Sequence, residues 1–200
     1  VYGSYTHGGL GLRYGAISAL HQISTDRSIG FSTLAENEKA SYLAFTQQVF
    51  AEASYRLSHD NGYLEPFVGV TALYQDSQPY RETGGAAALN GQATTAFNQV
   101  IDAGLRFQQG LSLGDVEARL VGKIGWQHLF GRNAFRASAS IGGSNPFAAN
   151  GLDTSRDLGI VEAGIGFDLG KGLDVSLQYQ GAFGRASRSS AFNARLSASF

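Results

Sequence analysis

The chain has no cysteine and no methionine, and only three prolines in 200 residues. Without cysteine there is neither a disulfide framework nor a thiolate metal site. Without methionine, Val1 is not a translation start, and no signal peptide precedes the first element. The sequence therefore reads as a processed or excised C-terminal piece, or as one whose start is lost. No apolar run reaches the length of about 18 residues that a membrane-crossing helix needs. A formal net charge of −1 argues against a nucleic-acid partner held by phosphate charge.

Catalytic patterns are missing too. There is no G-x-S-x-G and no cysteine nucleophile. His7, His21, His59 and His128 lie apart without metal-site spacing, and are expected at turns or interfaces. Gly9-Leu10-Gly11 and Gly164-Ile165-Gly166 fall short of a dinucleotide fingerprint, because no helix follows either. Asp153-Thr154-Ser155-Arg156-Asp157 begins like a calcium loop but lacks its glycine and closing glutamate. No catalytic residue, metal or cofactor is expected.

What the chain does have is alternation. Phe192–Phe200 places Phe, Ala, Leu, Ala and Phe at even positions, with Asn, Arg, Ser and Ser between them. Successive side chains of a strand point to opposite faces, so this stretch is apolar on one side and polar on the other. Ile101–Phe107, Val116–Trp126, Val161–Leu169 and Leu173–Tyr179 repeat the pattern. Leu10–Leu20, Phe45–Tyr55 and Leu64–Tyr74 repeat it more weakly, and Val1–Tyr5 looks like the tail of another strand. The period is that of strands, not helices.

Alternation fits a soluble sandwich as well as a membrane barrel, and the connections separate them. Thr6–Gly9, Leu57–Gly62, Gln109–Asp115 and Gly170–Gly172 are short, whereas Gln22–Ala40, Asp76–Ala96 and Phe130–Asp157 are long and polar. A modest Gly184–Ala191 completes the series. Short turns alternating with long loops are the habit of up-and-down outer-membrane barrels. Tyr55, Tyr63, Tyr74, Trp126, Tyr179 and Phe183 fall near strand ends, where interfacial girdles belong.

The fold class is therefore all-β, a transmembrane antiparallel up-and-down barrel. At polar phase stand Arg13, Glu52, Asp102, Arg106, Glu117, Arg119, Lys123 and Glu162, with Asp168, Asp174 and Arg195. Both signs occur, so cross-strand ion pairs in a wet lumen are expected. The row serves either as a hydrated passage or simply as the polar lining any barrel needs.

Several runs are similar to one family. They are Gln48–Arg56, Leu64–Val70, Glu82–Leu89, Gly125–Gly131 and Val161–Gly164. In order and in register they resemble the autotransporter β-domain of type V secretion. The resemblance implies a twelve-stranded barrel in the outer membrane of a Gram-negative bacterium, exporting an N-terminal passenger. Residues 1–200 would then be the C-terminal part of a single barrel domain, with about nine strands of twelve. Its partners would be outer-membrane lipid, the barrel-assembly machinery and its own passenger. By the same resemblance, Phe192, Leu196, Ala198 and Phe200 would be the assembly signal, with Ala198 where the family usually has an aromatic. Two other functions stay open. One is a pore or adhesin-type barrel with binding loops, and the other is a soluble β-sandwich binding module.

Overall fold

The computed structural model describes residues 1–31, 34–114, 116–134, 136–170 and 172–198. Its strands follow in chain order. They are β1 (Tyr2–His7), β2 (Leu10–Phe31), β3 (Leu34–Tyr55), β4 (Leu57–His59), β5 (Gly62–Ser77), β6 (Tyr80–Arg81) and β7 (Leu89–Gly91). After these come β8 (Thr94–Leu113), β9 (Val116–Gly131), β10 (Arg136–Ile141), β11 (Phe147–Asn150), β12 (Asp157–Asp168), β13 (Leu173–Phe183) and β14 (Arg188–Ala198).

The main sheet runs β1-β2-β3-β5-β8-β9-β12-β13-β14, each strand antiparallel to the next. β4 continues β3 past a break at Arg56 and also pairs with β5. Counted with β3, it leaves the nine-stranded meander that the alternation predicts. Among the described residues β1 and β14 do not pair, so the sheet is open.

The faces are sorted the opposite way from a soluble protein. Leu12, Tyr14, Leu20, Val49, Val68, Val70, Ile124, Trp126 and Leu177 are all exposed. Among the described residues the buried apolar side chains are only Ala40, Phe67 and Ala118, whereas Glu38, Ser54, Glu65, Glu82 and Ser155 are buried. A soluble sandwich hides its apolar rows between two sheets. Here those rows face outward, as they must in a barrel solvated by lipid.

The long connections differ from expectation. Gln22–Ala40 is not a loop. β2 and β3 stay paired from Leu10↔Tyr55 to Phe31↔Leu34. The outward row turns polar beyond Leu20, at Gln22, Ser24, Asp26 and Ser28, and on β3 at Ser41, Lys39 and Asn37. The inward face mixes Ile23, Ile29 and Tyr42 with Arg27, Glu36 and Glu38, so the apolar phase set by Leu10–Leu20 does not continue and the strand period is hidden from a sequence reading that follows it. The Asp76–Ala96 connection holds β6 and β7, and Phe130–Asp157 holds β10 and β11. Together they form a second sheet in the order β11-β10-β7-β6. The last loop is shorter than Gly184–Ala191, because β14 already begins at Arg188.

Candidate functional site

The polar face carries its densest chemistry where β2, β3, β5, β8, β9 and β12 lie side by side. Register puts Arg13 opposite Glu52, Glu65 opposite Arg106, Arg106 opposite Lys123, and Lys123 opposite Glu162. Opposite charges face each other across β2–β3, β5–β8 and β9–β12, and where the like charges Arg106 and Lys123 stand side by side each is paired with a carboxylate, Arg106 with Glu52 and Glu65 and Lys123 with Glu162.

Glu65 is the hub. It is 3% exposed. Its Oε2 accepts the Arg56 Nε–H at 2.8 Å, and Arg56 Nη2 also lies 2.8 Å from it. Its Oε1 accepts Arg106 Nη1–H at 3.1 Å, with Arg13 Nη2 at 3.7 Å. Arg106 also donates to Glu52, through Nη1 to Oε1 at 2.9 Å and through Nη2 to Oε2. Arg13 Nη1 lies 3.5 Å from Glu52 Oε1, and Lys123 Nζ donates to Glu162 Oε1 at 3.3 Å. A carboxylate so thoroughly buried is tolerated only with charged donors on its lone pairs.

Aromatic rings support the guanidinium groups. The Arg106 guanidinium carbon lies 3.9 Å from the Phe67 ring centre, and that of Arg56 lies 4.0 Å from the Tyr63 ring centre. Arg106 crosses from the rung of Glu65 to that of Glu52, and Gly104 leaves the room beside Phe67. A Cβ on Gly104 would stand 2.3 Å from the Ile124 carbonyl oxygen and 3.0 Å from the Phe67 ring.

The structure thus brings together Arg13, Glu52, Arg106, Lys123 and Glu162 of the charged row read from sequence. Asp102 shares the rung of Glu52 and Gly69 but makes no ion pair within 4 Å among the described residues. Glu117 and Arg119 sit elsewhere, near the short turns. There they line a cavity of about 510 Å³ with Asp168, Asp174, Ser176 and Arg195. Ser112 donates to Glu117 at 2.8 Å.

Sequence reasoning missed Glu65, Arg56 and Phe67. Glu65 was legible, since it stands between Leu64 and Pro66 at polar phase. Phe67 at the next polar-phase position masks the alternation. Tyr63 is a correction: it sits on the polar face under Arg56, not in an outward girdle. His21 lies within β2 just past Leu20, at the edge of the apolar row, with its Nε2 3.2 Å from Thr46 Oγ1.

The apolar face carries a polar constellation at Trp126. Asp157 Oδ1 accepts the Trp126 indole N–H at 3.1 Å and lies 2.7 Å from His128 Nδ1. A tryptophan with a wet partner is typical of a membrane boundary. On β14, Phe192 and Leu196 are exposed on the same outward row as Ala198. Phe200, the last of the expected assembly residues, lies outside the described residues. Among the described residues no group of three or more His, Cys, Asp or Glu side chains is placed to hold a metal.

Comparison with known proteins agrees with this face sorting. A family model described as the autotransporter β-domain matches residues 1–180. Two extracellular serine proteases of Serratia marcescens are each 32% identical over 197 residues, covering 98% of this chain. The chain spans only 19% of the length of those relatives. An antiparallel meander with an apolar outer face, matched along nine-tenths of its length by that model, belongs to the autotransporter β-domain family, the outer-membrane β-barrel translocators of type V secretion in Gram-negative bacteria.

Proposed function

We propose that the chain is the C-terminal part of a single β-barrel domain that anchors an N-terminal passenger and helps export it to the cell surface. The observation that carries this is the inversion of the faces, with Glu65 buried on the polar side and Leu12, Val68, Ile124 and Leu177 exposed on the other. The polar face is then the lumen. Arg13, Glu52, Asp102, Arg106, Glu117, Arg119, Lys123 and Glu162 line it, and a polypeptide passes along it.

Backbone accounting supports further strands. Among the described residues, β2 from Ile17 to Phe31 has no strand on the side away from β3, because β1 covers only Leu10–Gly15. In lipid every backbone N–H and C=O must find a partner. Three more strands beside β1 would complete the twelve implied by the resemblance and close the sheet. The domain has no enzyme activity of its own in this proposal. On this reading the protease activity named in its relatives belongs to the part of those proteins that this chain does not match.

The test is export itself. An epitope-tagged passenger joined to the full-length barrel should become protease-accessible on intact cells. Cysteines at Leu177 and Gln178 should report lipid and water respectively. Equal water access at both positions would refute the barrel. An exposed epitope after removal of residues 1–200 would refute the export role.

Phe192, Leu196 and Ala198 of the outward row, together with Phe200, are proposed to be the signal read by the barrel-assembly machinery. An unpaired amphipathic strand offers backbone donors and a row of apolar knobs. Deleting Phe200 should lower the amount inserted in cells while leaving refolding into detergent nearly intact. Equal losses in both would make Phe200 structural. Ala198→Tyr should raise insertion in cells.

A further inference from the structure

The run Glu82–Leu89 has no part in the export chemistry, yet it is held by hydrogen bonds along its length. Thr83 exchanges two backbone hydrogen bonds with Lys39, each 2.9 Å. Glu82 N–H donates to the Leu89 carbonyl at 2.8 Å, and Leu89 N–H returns to Glu82 Oε2 at 2.8 Å. Between these clamps the turn folds onto the polar-phase side chains of β3. Gly85 N–H donates to Glu38 Oε2 at 3.0 Å, Ala86 N–H to Glu36 Oε1 at 3.1 Å, and Ala87 N–H to Glu36 Oε2 at 3.0 Å.

Arg27, on β2 opposite Glu38, closes the arrangement. Its Nη2 donates to Glu82 Oε2 at 2.5 Å and to the Ala87 carbonyl at 2.9 Å. Glu38 is fully buried, and among the described residues its Oε1 finds no hydrogen-bond partner. The fit allows no side chain at Gly85, where a Cβ would stand 2.2 Å from the Glu36 carboxyl carbon. Gly84 and Gly85 are therefore explained by close approach to β3 and its two carboxylates.

The second sheet hangs on this contact. β6 and β7 flank the turn, β7 pairs with β10, and β10 pairs with β11. Tyr42 and Tyr80 stack with ring centres 4.7 Å apart and add an uncharged contact beside it.

We propose that Glu82–Leu89 is an acid-released strap. Carboxylates of β3 and of the strap itself fasten it at neutral pH, and proton uptake by Glu36 and Glu82 frees it together with the sheet it carries. The groups facing it are Arg27 from β2, Glu36, Glu38 and Tyr42 from β3, and Tyr80 and Glu82 from its own connection. Lys39 and Asp26 pair on the opposite face of the hairpin at 3.4 Å.

The direction of the pH effect follows from the contacts. The Ala87 and Ala86 N–H groups hold Glu36 below its ordinary value of 4.5. The hydrogen bond from Arg27 does the same for Glu82, against the opposing effect of burial. Both values are depressed in the folded state. The strap is therefore fully fastened above the ordinary carboxylate range and loosens as pH falls through the depressed values. Strap and sheet lie beyond the apolar row that ends at Leu20 and Leu43, outside the bilayer on the translocator reading.

Hydrogen exchange of the full-length protein in outer-membrane vesicles tests this, with rates corrected for intrinsic pH dependence. Peptides spanning residues 82–90 should be protected at neutral pH and lose about tenfold or more in protection when the pH is brought down to about 2, below the depressed carboxylates. Peptides within residues 99–107 should keep theirs. The double variant Glu36→Ala, Glu38→Ala should be unprotected in 82–90 at both pH values. Three results would overturn the strap: protection of 82–90 that persists in acid, protection that persists in the double variant, or a simultaneous loss in 99–107. These exchange readouts do not depend on passenger export, so the two proposals fail separately.

Discussion

The polar face holds two charged regions that differ in how they are satisfied. Around Glu65, charges from six strands neutralise one another, and the hub is buried. Near the short turns, Glu117, Asp168 and Asp174 stand on one rung, with Arg119 and Arg195 two residues further along their strands. All five are exposed, and among the described residues none makes an ion pair within 4 Å. Like charges directly opposite on neighbouring strands repel. They are tolerated here because water screens them. A polar barrel face is thus not one kind of surface. One region is a fixed electrostatic core, and the other is a wet rim whose charges are free to meet something else.

Substitutions sharpen that contrast. Glu65→Ala should have the largest effect, about 3 kcal/mol of stability, because it strips the buried partner from three guanidinium groups. The loss stays below the upper end for buried pairs, since Arg13 and Arg56 are half-exposed and Arg106 keeps Glu52. Heat-modifiable migration of the full-length barrel on gels would measure it. Phe67→Leu keeps an apolar side chain but removes the ring under Arg106, and should cost about 1–2 kcal/mol. Denaturant titration of the same barrel checks this value. At the wet rim, Arg119→Ala or Asp174→Ala should change stability by no more than about 0.5 kcal/mol. A cost at Arg119 equal to that at Glu65 would erase the distinction between the two regions.

The same contrast separates what was legible from what was not. Arg13, Glu52, Arg106, Lys123 and Glu162 could be read as polar-phase residues because each alternates with apolar neighbours. Glu65 escaped because Phe67, two positions along, is apolar on the polar face. It lies there to support the Arg106 guanidinium, a tertiary reason with no trace in local periodicity. The outer half of β2 and β3 escaped for another reason. Above the apolar band the outward face turns polar and the inward face mixes Ile23, Ile29 and Tyr42 with Arg27, Glu36 and Glu38, so the apolar phase of Leu10–Leu20 does not carry into Gln22–Ala40.

The sequence by itself determined the strand period, the apolar side of each strand, the up-and-down order and the family. These depend on residues two apart or on short turns, and the chain states them directly. Tertiary structure alone decided which charges meet. Arg106 finds Glu52, 54 residues away, and Arg27 finds Glu82, 55 residues away, only after register is set. A shift of a single residue would turn every such side chain to the other face. Partner choice therefore belongs to the assembled sheet, where the summed backbone pairing of whole strands fixes the register.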